Sequence, residues 1–191
     1  MSALRVGVIG TSWWANRMHL PALRSHSDVC LTAICSRNPT NDDTHHEMTM
    51  AAIDAGCHVM CEKPLAPNAT EARIMYESAT AANRKHMVLF TNRWLPVYRH
   101  FRRLLMEGYV GDPWHVEARY LSGNRSVRPR YSWRYDSERA NGVLGDLGSH
   151  VFDMLRYCIG DIVKVNANLG AYVSRPGPEG GQSESANDCA D

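Results

Sequence analysis

The N-terminal half of the chain alternates short apolar runs with helix-like segments, and this alternation constrains the fold more than any other feature. Four runs have the composition of buried strands, at residues 5–10, 29–36, 57–61 and 85–91. The segments between them have helical composition. Because strands that alternate with helices need crossover connections, we predict a mostly parallel sheet covered on both faces, hence an α/β fold.

The predicted helices carry recognisable ends. Thr44 with Glu47 and Asn68 with Glu71 have the spacing of capping pairs, and Gly56 suits the position just after a helix. The first helix is expected to run from Trp13 until Pro21 interrupts it. These signals place three helices between the four strands.

The pattern changes after Asn92. A helix is predicted from Pro96 to Gly108, and residues 114–120 and 162–173 alternate apolar with polar side chains, as half-exposed strands do. We therefore predict a Rossmann-type domain over residues 1–92 and an α+β domain with an open antiparallel or mixed sheet over 93–191.

Charge and composition exclude several functions. The 21 Lys and Arg residues nearly balance the 20 Asp and Glu residues, for a net charge of +1, so binding to nucleic acid or to a membrane surface is not expected. No apolar run approaches the ~20 residues of a membrane span, and the N-terminus lacks the layout of a signal peptide, so a cytoplasmic location is expected. The six cysteines form neither a disulfide framework nor a CxxC pair, so free thiols and no metal site are expected.

The turn after the first strand has the position of a phosphate-binding turn. Gly10, Ser12 and Ala15 match a weakened GxGxxG/A pattern, which fits either a dinucleotide pyrophosphate or a tight turn of any α/β protein. The second strand ends in Ser36 and Arg37, where a ribose-binding carboxylate is usual. A hydroxyl and a guanidinium suit a 2′-phosphate, which favours NADP(H) over NAD(H), although Arg37 also suits a plain surface position.

A helix over residues 145–159 carries one polar face. Asp146, His150, Asp153 and Tyr157 fall within a narrow arc, opposite apolar side chains. A carboxylate one turn before a histidine tunes the imidazole for general acid/base chemistry. The same spacing also fits a solvated face with a routine i,i+4 pair.

Together, the stretches GVIGTSWWA, PTNDDTHHEM, AAIDAGCHVMCEKPLA and GVLGDLGSHVFD resemble the Gfo/Idh/MocA family of NAD(P)-dependent oxidoreductases. The resemblance implies an N-terminal Rossmann domain and an open-sheet C-terminal domain. It further implies hydride transfer between NADP(H), or NAD(H), and a hydroxyl or carbonyl carbon of a sugar, polyol or similar polar small molecule.

The resemblance also assigns site residues. Lys63, after a cis bond to Pro64, is expected to polarise the substrate oxygen, His150 to act as acid/base, and Asp146 to be its carboxylate partner. Asn92 and Arg93 are expected near the cleft. The cofactor-lining positions are Gly10, Thr11, Ser12, Ser36, Arg37, Thr40, Asn41, His45, Glu62 and Lys63.

Two departures from the family pattern qualify these expectations. The chain passes from Arg37 almost directly to Pro39, so more than one crossover unit of ~30 residues is missing, including the strand beside the cofactor crevice. The second sheet is expected to be incomplete. Full-length relatives are expected to form homo-oligomers, whereas this chain is not. The alternative function is that of a non-catalytic dinucleotide-binding or interaction protein, or of an inactive fragment of such an enzyme.

Overall fold

A computed structural model describes residues 2–35, 44–121 and 142–172, together with the backbone of 175–176, 182–183 and 189–190. The fold is α/β, with parallel pairing in its N-terminal half. This confirms the predicted fold class.

The first unit is a parallel strand pair joined by a helix. Strand β1 (Leu4–Ile9) pairs with β2 (Val29–Cys35), and the connection contains a π-helical turn (Ala15–His19) followed by α1 (Leu20–Ser25). Pro21 lies in the first turn of α1 and does not interrupt the helix, contrary to the prediction. Pro21 lies where the wider π-helical turn passes into α1, and this change of helical hydrogen-bonding pattern accommodates the missing amide hydrogen.

The second unit repeats this plan. It consists of α2 (His45–Asp54), β3 (Val59–Cys61), α3 (Ala69–Ala81) and β4 (His86–Val88), with β3 and β4 parallel. The Asn68 side chain caps α3 by accepting from the backbone N–H of Glu71, as predicted. Thr44 is the N-cap residue of α2, but its side chain makes no capping hydrogen bond.

The two strand pairs do not merge into one sheet. Within the described part of the chain, β1 pairs only with β2 and β3 only with β4. A Rossmann sheet places a further strand next to its first strand. The described strands therefore form two separate parallel pairs, in a fold that is shortened relative to its structural neighbours, as the sequence predicted.

Helices dominate the described C-terminal half. A 3₁₀ turn (Thr91–Trp94) leads into α4 (Pro96–Met106), and a π-helical turn (Leu144–Gly148) leads into α5 (Ser149–Cys158). Pro96 lies in the first turn of α4, and Gly108 follows it with a positive φ, as the sequence predicted.

The predicted strands of this half are mostly wrong. Residues 114–120 form no strand, and of the described residues 162–172 only β5 (Leu169–Gly170) does, pairing antiparallel with β8 (Cys189–Ala190). Strand β6 (Arg175–Pro176) pairs with β7 (Gln182–Ser183). Alternating side chains suit a strand, but a strand forms only where a neighbouring strand supplies its hydrogen bonds.

The hydrophobic core of the described residues is small. Its buried apolar side chains are Ala15, Leu20, Ile53, Cys61, Met75, Ala79 and Cys158. Helix α4 has no fully buried side chain, and its apolar residues Val97 and Phe101 are exposed. No helix in the described ranges is both long and apolar enough to cross a membrane.

Candidate active site

The first element of the candidate site is the turn at the carboxyl end of β1. Gly10 is buried, has a φ of 91°, and donates its backbone N–H to the Cys35 carbonyl at 2.8 Å. Because residues with a Cβ rarely adopt this conformation, glycine fixes the turn. The next residues, Thr11 and Ser12, lead into the helical segment, which begins at Trp13, and the Asn16 side chain donates to the Thr11 carbonyl at 2.7 Å.

The second element is the Glu62-Lys63-Pro64 segment, which directly follows β3. The Lys63–Pro64 peptide bond is cis, as predicted. The segment lies at the carboxyl end of its strand, as Gly10 does at the end of β1. Ligands of open α/β sheets bind at this edge.

Three contacts hold this segment in place, one at each of its residues. Glu62 Oε1 lies 2.5 Å from His19 Nε2, in the connection after β1. Pro64 accepts at its carbonyl from His45 Nδ1 at 2.8 Å, at the start of α2. His45, predicted to line the cofactor, thus contacts the strand end directly.

The third contact joins the two halves of the chain. Lys63 Nζ donates to the Asp146 carboxylate at 2.9 Å and to the Asp146 carbonyl at 2.7 Å. The side chains are 17% and 13% exposed, so the ion pair is mostly shielded from water. A shielded pair of this kind holds the ammonium group at a fixed position.

His150 lies one helical turn beyond Asp146, and its ring meets Phe90 edge-on with centroids 6.1 Å apart. Its Nδ1 atom is buried and has no hydrogen-bond partner among the described residues. Burial, and then the positive charge of Lys63, lower the pKa of His150 below 6.5, while the Asp146 carboxylate acts in the opposite direction. The lowered pKa favours the neutral imidazole near pH 7, which is the form that can accept a proton.

The polar face of α5 points into the protein and not into solvent. Asp153 is buried and binds Arg93, whose Nε donates to Oδ2 at 2.8 Å; this contact raises the pKa of Arg93. The Tyr157 ring lies 5.2 Å from the Arg93 guanidinium and 4.6 Å from that of Arg102. These contacts anchor the helix that carries His150, which excludes the alternative of a solvated face.

Sequence reasoning missed His19, Phe90 and Ser149. His19 and Phe90 contact site residues 43 and 60 positions away, and no local pattern signals such a partner. The Ser149 hydroxyl is buried next to His150 and has no partner among the described residues.

Some predicted site residues lie outside the described part of the chain: Ser36, Arg37, Thr40 and Asn41. Their predicted roles stay predictions, and so does the domain boundary at residue 92. No cluster of metal-binding side chains is present in the described part of the chain.

Two family models match the chain. Residues 34–90 match the model of the oxidoreductase family with an NAD-binding Rossmann fold, and residues 98–188 match the GFO/IDH/MocA C-terminal domain.

Among similar proteins, levoglucosan dehydrogenase of Pseudarthrobacter phenanthrenivorans is 37% identical over 146 residues, which cover 74% of this chain and 37% of the relative. An uncharacterized oxidoreductase of Synechocystis is 29% identical over 211 residues, covering 92% and 57%. The chain thus spans between about a third and three fifths of these relatives. Because 211 aligned positions exceed the 191 residues of the chain, the Synechocystis protein contains residues within the matched region that this chain lacks.

Solved structures of oxidoreductases are similar in fold to this chain. An NAD-binding oxidoreductase from Klebsiella pneumoniae is 26% identical, with a TM-score of 0.78 over 98% of this chain and 61% of that one. A levoglucosan dehydrogenase solved with NADH and L-sorbose gives 25% identity and a TM-score of 0.73 over 98% and 62%. Both domain models, the strand-end geometry and the superposition agree, and the chain belongs to the Gfo/Idh/MocA family of oxidoreductases.

Proposed function

We propose that the chain is the catalytic part of an oxidoreductase that transfers hydride between a nicotinamide dinucleotide and a hydroxyl or carbonyl carbon of a sugar or polyol. The observation that carries the proposal is the Lys63–Asp146 contact, which joins residues 83 positions apart and lies one helical turn from the neutral His150. An ammonium and a proton acceptor close together are what the oxidation of an alcohol needs.

The described residues fit the dinucleotide. Gly10 supplies a tight backbone turn at a strand end that leads into a helical segment, and the Glu62-Lys63-Pro64 segment closes the same edge of the fold. The family model is an NAD-binding one, and the levoglucosan dehydrogenase neighbour was solved with NADH. When bound, the nicotinamide supplies the hydride acceptor. NADP(H) is the preferred form because Ser36 and Arg37 follow β2.

The roles of the protein side chains follow from their contacts. Lys63, held by Asp146, donates to the substrate oxygen and stabilises the negative charge that develops on it. His150 accepts the hydroxyl proton on its imidazole ring, whose lowered pKa favours the neutral form. The contact between Glu62 and His19 fixes the position of the strand end that carries Lys63 relative to the connection after β1.

A sugar-type substrate is supported by the relatives, which include a levoglucosan dehydrogenase and a glucose-6-phosphate 3-dehydrogenase. The proposed activity can be tested by mixing the chain with NADP⁺ or NAD⁺ and a panel of levoglucosan, glucose and inositol. The absorbance of the reduced nicotinamide reports turnover. Lys63→Ala and His150→Asn should each lower kcat by a factor of about 10² or more. Arg156→Ala, on the exposed face of α5, is the matched control and should leave the rate unchanged. Equal rates in all three variants would refute the assigned roles.

A second candidate function is non-catalytic dinucleotide binding, which the gap between the two strand pairs favours. Titration of NADPH, followed by its fluorescence, separates the two. Saturable binding without turnover of any panel substrate supports the second candidate.

A further inference from the structure

We propose that Arg93 is a positioning residue for His150 and acts on the imidazole through the buried carboxylate of Asp153. The inference rests on the proposed function, because His150 is the proton acceptor of that reaction. Two properties of the Arg93–Asp153 contact carry it: the place where it holds the helix, and the charge that it neutralises.

Arg93 lies in the turn that follows β4. Leu89 donates its backbone N–H to the Cys61 carbonyl at 2.8 Å, so the end of β4 is bonded to the end of β3. The 3₁₀ turn Thr91–Trp94 begins two residues later. Because β3 and β4 are parallel, their carboxyl ends meet at one edge. Arg93 therefore follows β4 at the edge where the Glu62-Lys63-Pro64 segment follows β3.

This turn contacts α5 at two points about one helical turn apart. Phe90, directly before the turn, meets the His150 ring edge-on. The Arg93 guanidinium binds Asp153, three residues further along α5: Nε donates to Oδ2 at 2.8 Å and to Oδ1 at 3.1 Å, and a terminal nitrogen also donates to Oδ1. A guanidinium that donates to both carboxylate oxygens fixes direction as well as distance. The two contacts thus hold α5, and with it the imidazole, against the end of β4.

The same contact neutralises a carboxylate close to the ring. The Asp153 side chain is 5% exposed, and a carboxylate this deeply buried needs a partner to keep its charge. Side chains three residues apart on a helix are neighbours, so the charge of Asp153 acts on His150. Arg93 offsets that charge and favours the neutral imidazole, which is the form that accepts a proton.

The other charged groups around the ring come from two further elements. Burial, and then the Lys63 ammonium at the end of β3, lower the pKa of His150. Three carboxylates act in the opposite direction: Asp146 before α5, Asp153 on α5 and Glu62 at the end of β3. Of these, Asp153 is the one that Arg93 binds.

The titration of the His150 ring tests this coupling without cofactor or turnover. Its ring-proton signal is followed by NMR and is assigned by its loss in His150→Asn. Arg93→Met removes the positive charge and leaves the Asp153 carboxylate without its partner, so the midpoint should move to higher pH. Arg93→Lys keeps the charge and should leave the midpoint close to that of the unaltered chain.

Variants of the carboxylate separate the charge from a general loss of structure. Asp153→Asn leaves Arg93 in place and should move the midpoint to lower pH. The double variant Arg93→Met with Asp153→Asn removes both charges, and its midpoint should return toward that of the unaltered chain. Arg156→Met, on the exposed face of α5, is the matched control and should leave the midpoint unchanged. An unchanged midpoint in both Arg93→Met and Asp153→Asn overturns the proposal, and so does a double variant that titrates like Arg93→Met.

Kinetics then test the positioning role. In the substrate panel, Arg93→Met should lower kcat about tenfold or more and leave KM nearly unchanged, and Arg93→Lys should recover part of the rate. A raised KM with an unchanged kcat would make Arg93 a substrate-binding residue and overturn the proposal. Shifted midpoints in a chain that turns over no panel substrate would refute the proposed activity and still support the coupling of Arg93 to His150.

Discussion

At the scale of single residues, the ion pair between Lys63 and Asp146 connects the strand end to the helix that carries His150. Replacing one partner removes the opposite charge from a group that is mostly shielded from water. We expect a coupling free energy of about 1–2 kcal/mol in a double-mutant cycle of Lys63→Met and Asp146→Asn, measured by urea unfolding.

The exposed pair Arg156–Asp161 is the control for this cycle. Its side chains are 58% and 84% exposed, so solvent screens the interaction and its coupling should be close to zero. Equal coupling in the two pairs would contradict the inference that Lys63 and Asp146 are held by a shielded contact.

Protonation of His150 should destabilise the fold. Because burial lowers its pKa, the folded chain binds fewer protons than the unfolded chain between the lowered pKa and 6.5. The contribution of neutral His150 is complete above about pH 6.5 and is lost as the pH falls through the lowered pKa. The difference in the free energy of unfolding between the unaltered chain and His150→Asn should shrink from pH 7.5 to pH 5. A difference that does not change with pH would show that the imidazole is not buried as described.

Gly10→Ala should destabilise the chain by about 1–2 kcal/mol, because the residue has a φ of 91° and alanine is strained there. Gly7→Ala is the matched control three residues earlier, since Gly7 lacks a positive φ and has open space around its Cβ. It should be neutral or slightly stabilising. Thermal melts of both variants check the pair, and an equal loss in the two would exclude backbone strain as the cause.

At the scale of elements, helix α3 begins at a local N-cap residue, Asn68. The Asn68 side chain accepts from the Glu71 backbone N–H at 2.9 Å, so Asn68→Ala should cost about 1 kcal/mol in urea unfolding. Asn68→Ser retains an oxygen acceptor, adds no negative charge beside the Glu71 carboxylate to which the Asn68 amide donates, and should cost little. A loss of the same size in both variants would indicate that the amide, and not its oxygen, matters.

The elements also show how far sequence reasoning reaches. Strands β1 to β4, the cap of α3 and the start of α4 were predicted because their signals lie within a few residues. The strand predicted at 114–120 failed because a strand is defined by a neighbour elsewhere in the chain. In the site, Lys63 and Asp146 were found from their motifs, whereas His19 was missed because its partner lies 43 residues away and no local pattern specifies the pairing.

At the scale of the whole molecule, the lack of pairing between β1 and β3 should lower the cooperativity of unfolding. Few apolar side chains are buried in the described residues, and large ones such as Ile9, Met60 and Phe101 are exposed. The urea m-value scales with the surface that unfolding exposes. We therefore expect an m-value of about half that of a fully packed chain of this length, and a broad thermal transition.

Restoring the missing strand should reverse this behaviour. Insertion of one strand–helix unit of ~30 residues within residues 36–43 supplies a partner strand for β1 and β3, each of which pairs with a single described strand, and covers the exposed side chains of Ile9 and Met60. The m-value should rise, and transitions followed by circular dichroism and by tryptophan fluorescence should coincide. A Gly/Ser insert of equal length lengthens the same connection without supplying a strand and should change neither. If both inserts act alike, or if the unaltered chain already unfolds in one sharp transition with a full m-value, the gap is closed in solution and the two strand pairs form a single sheet.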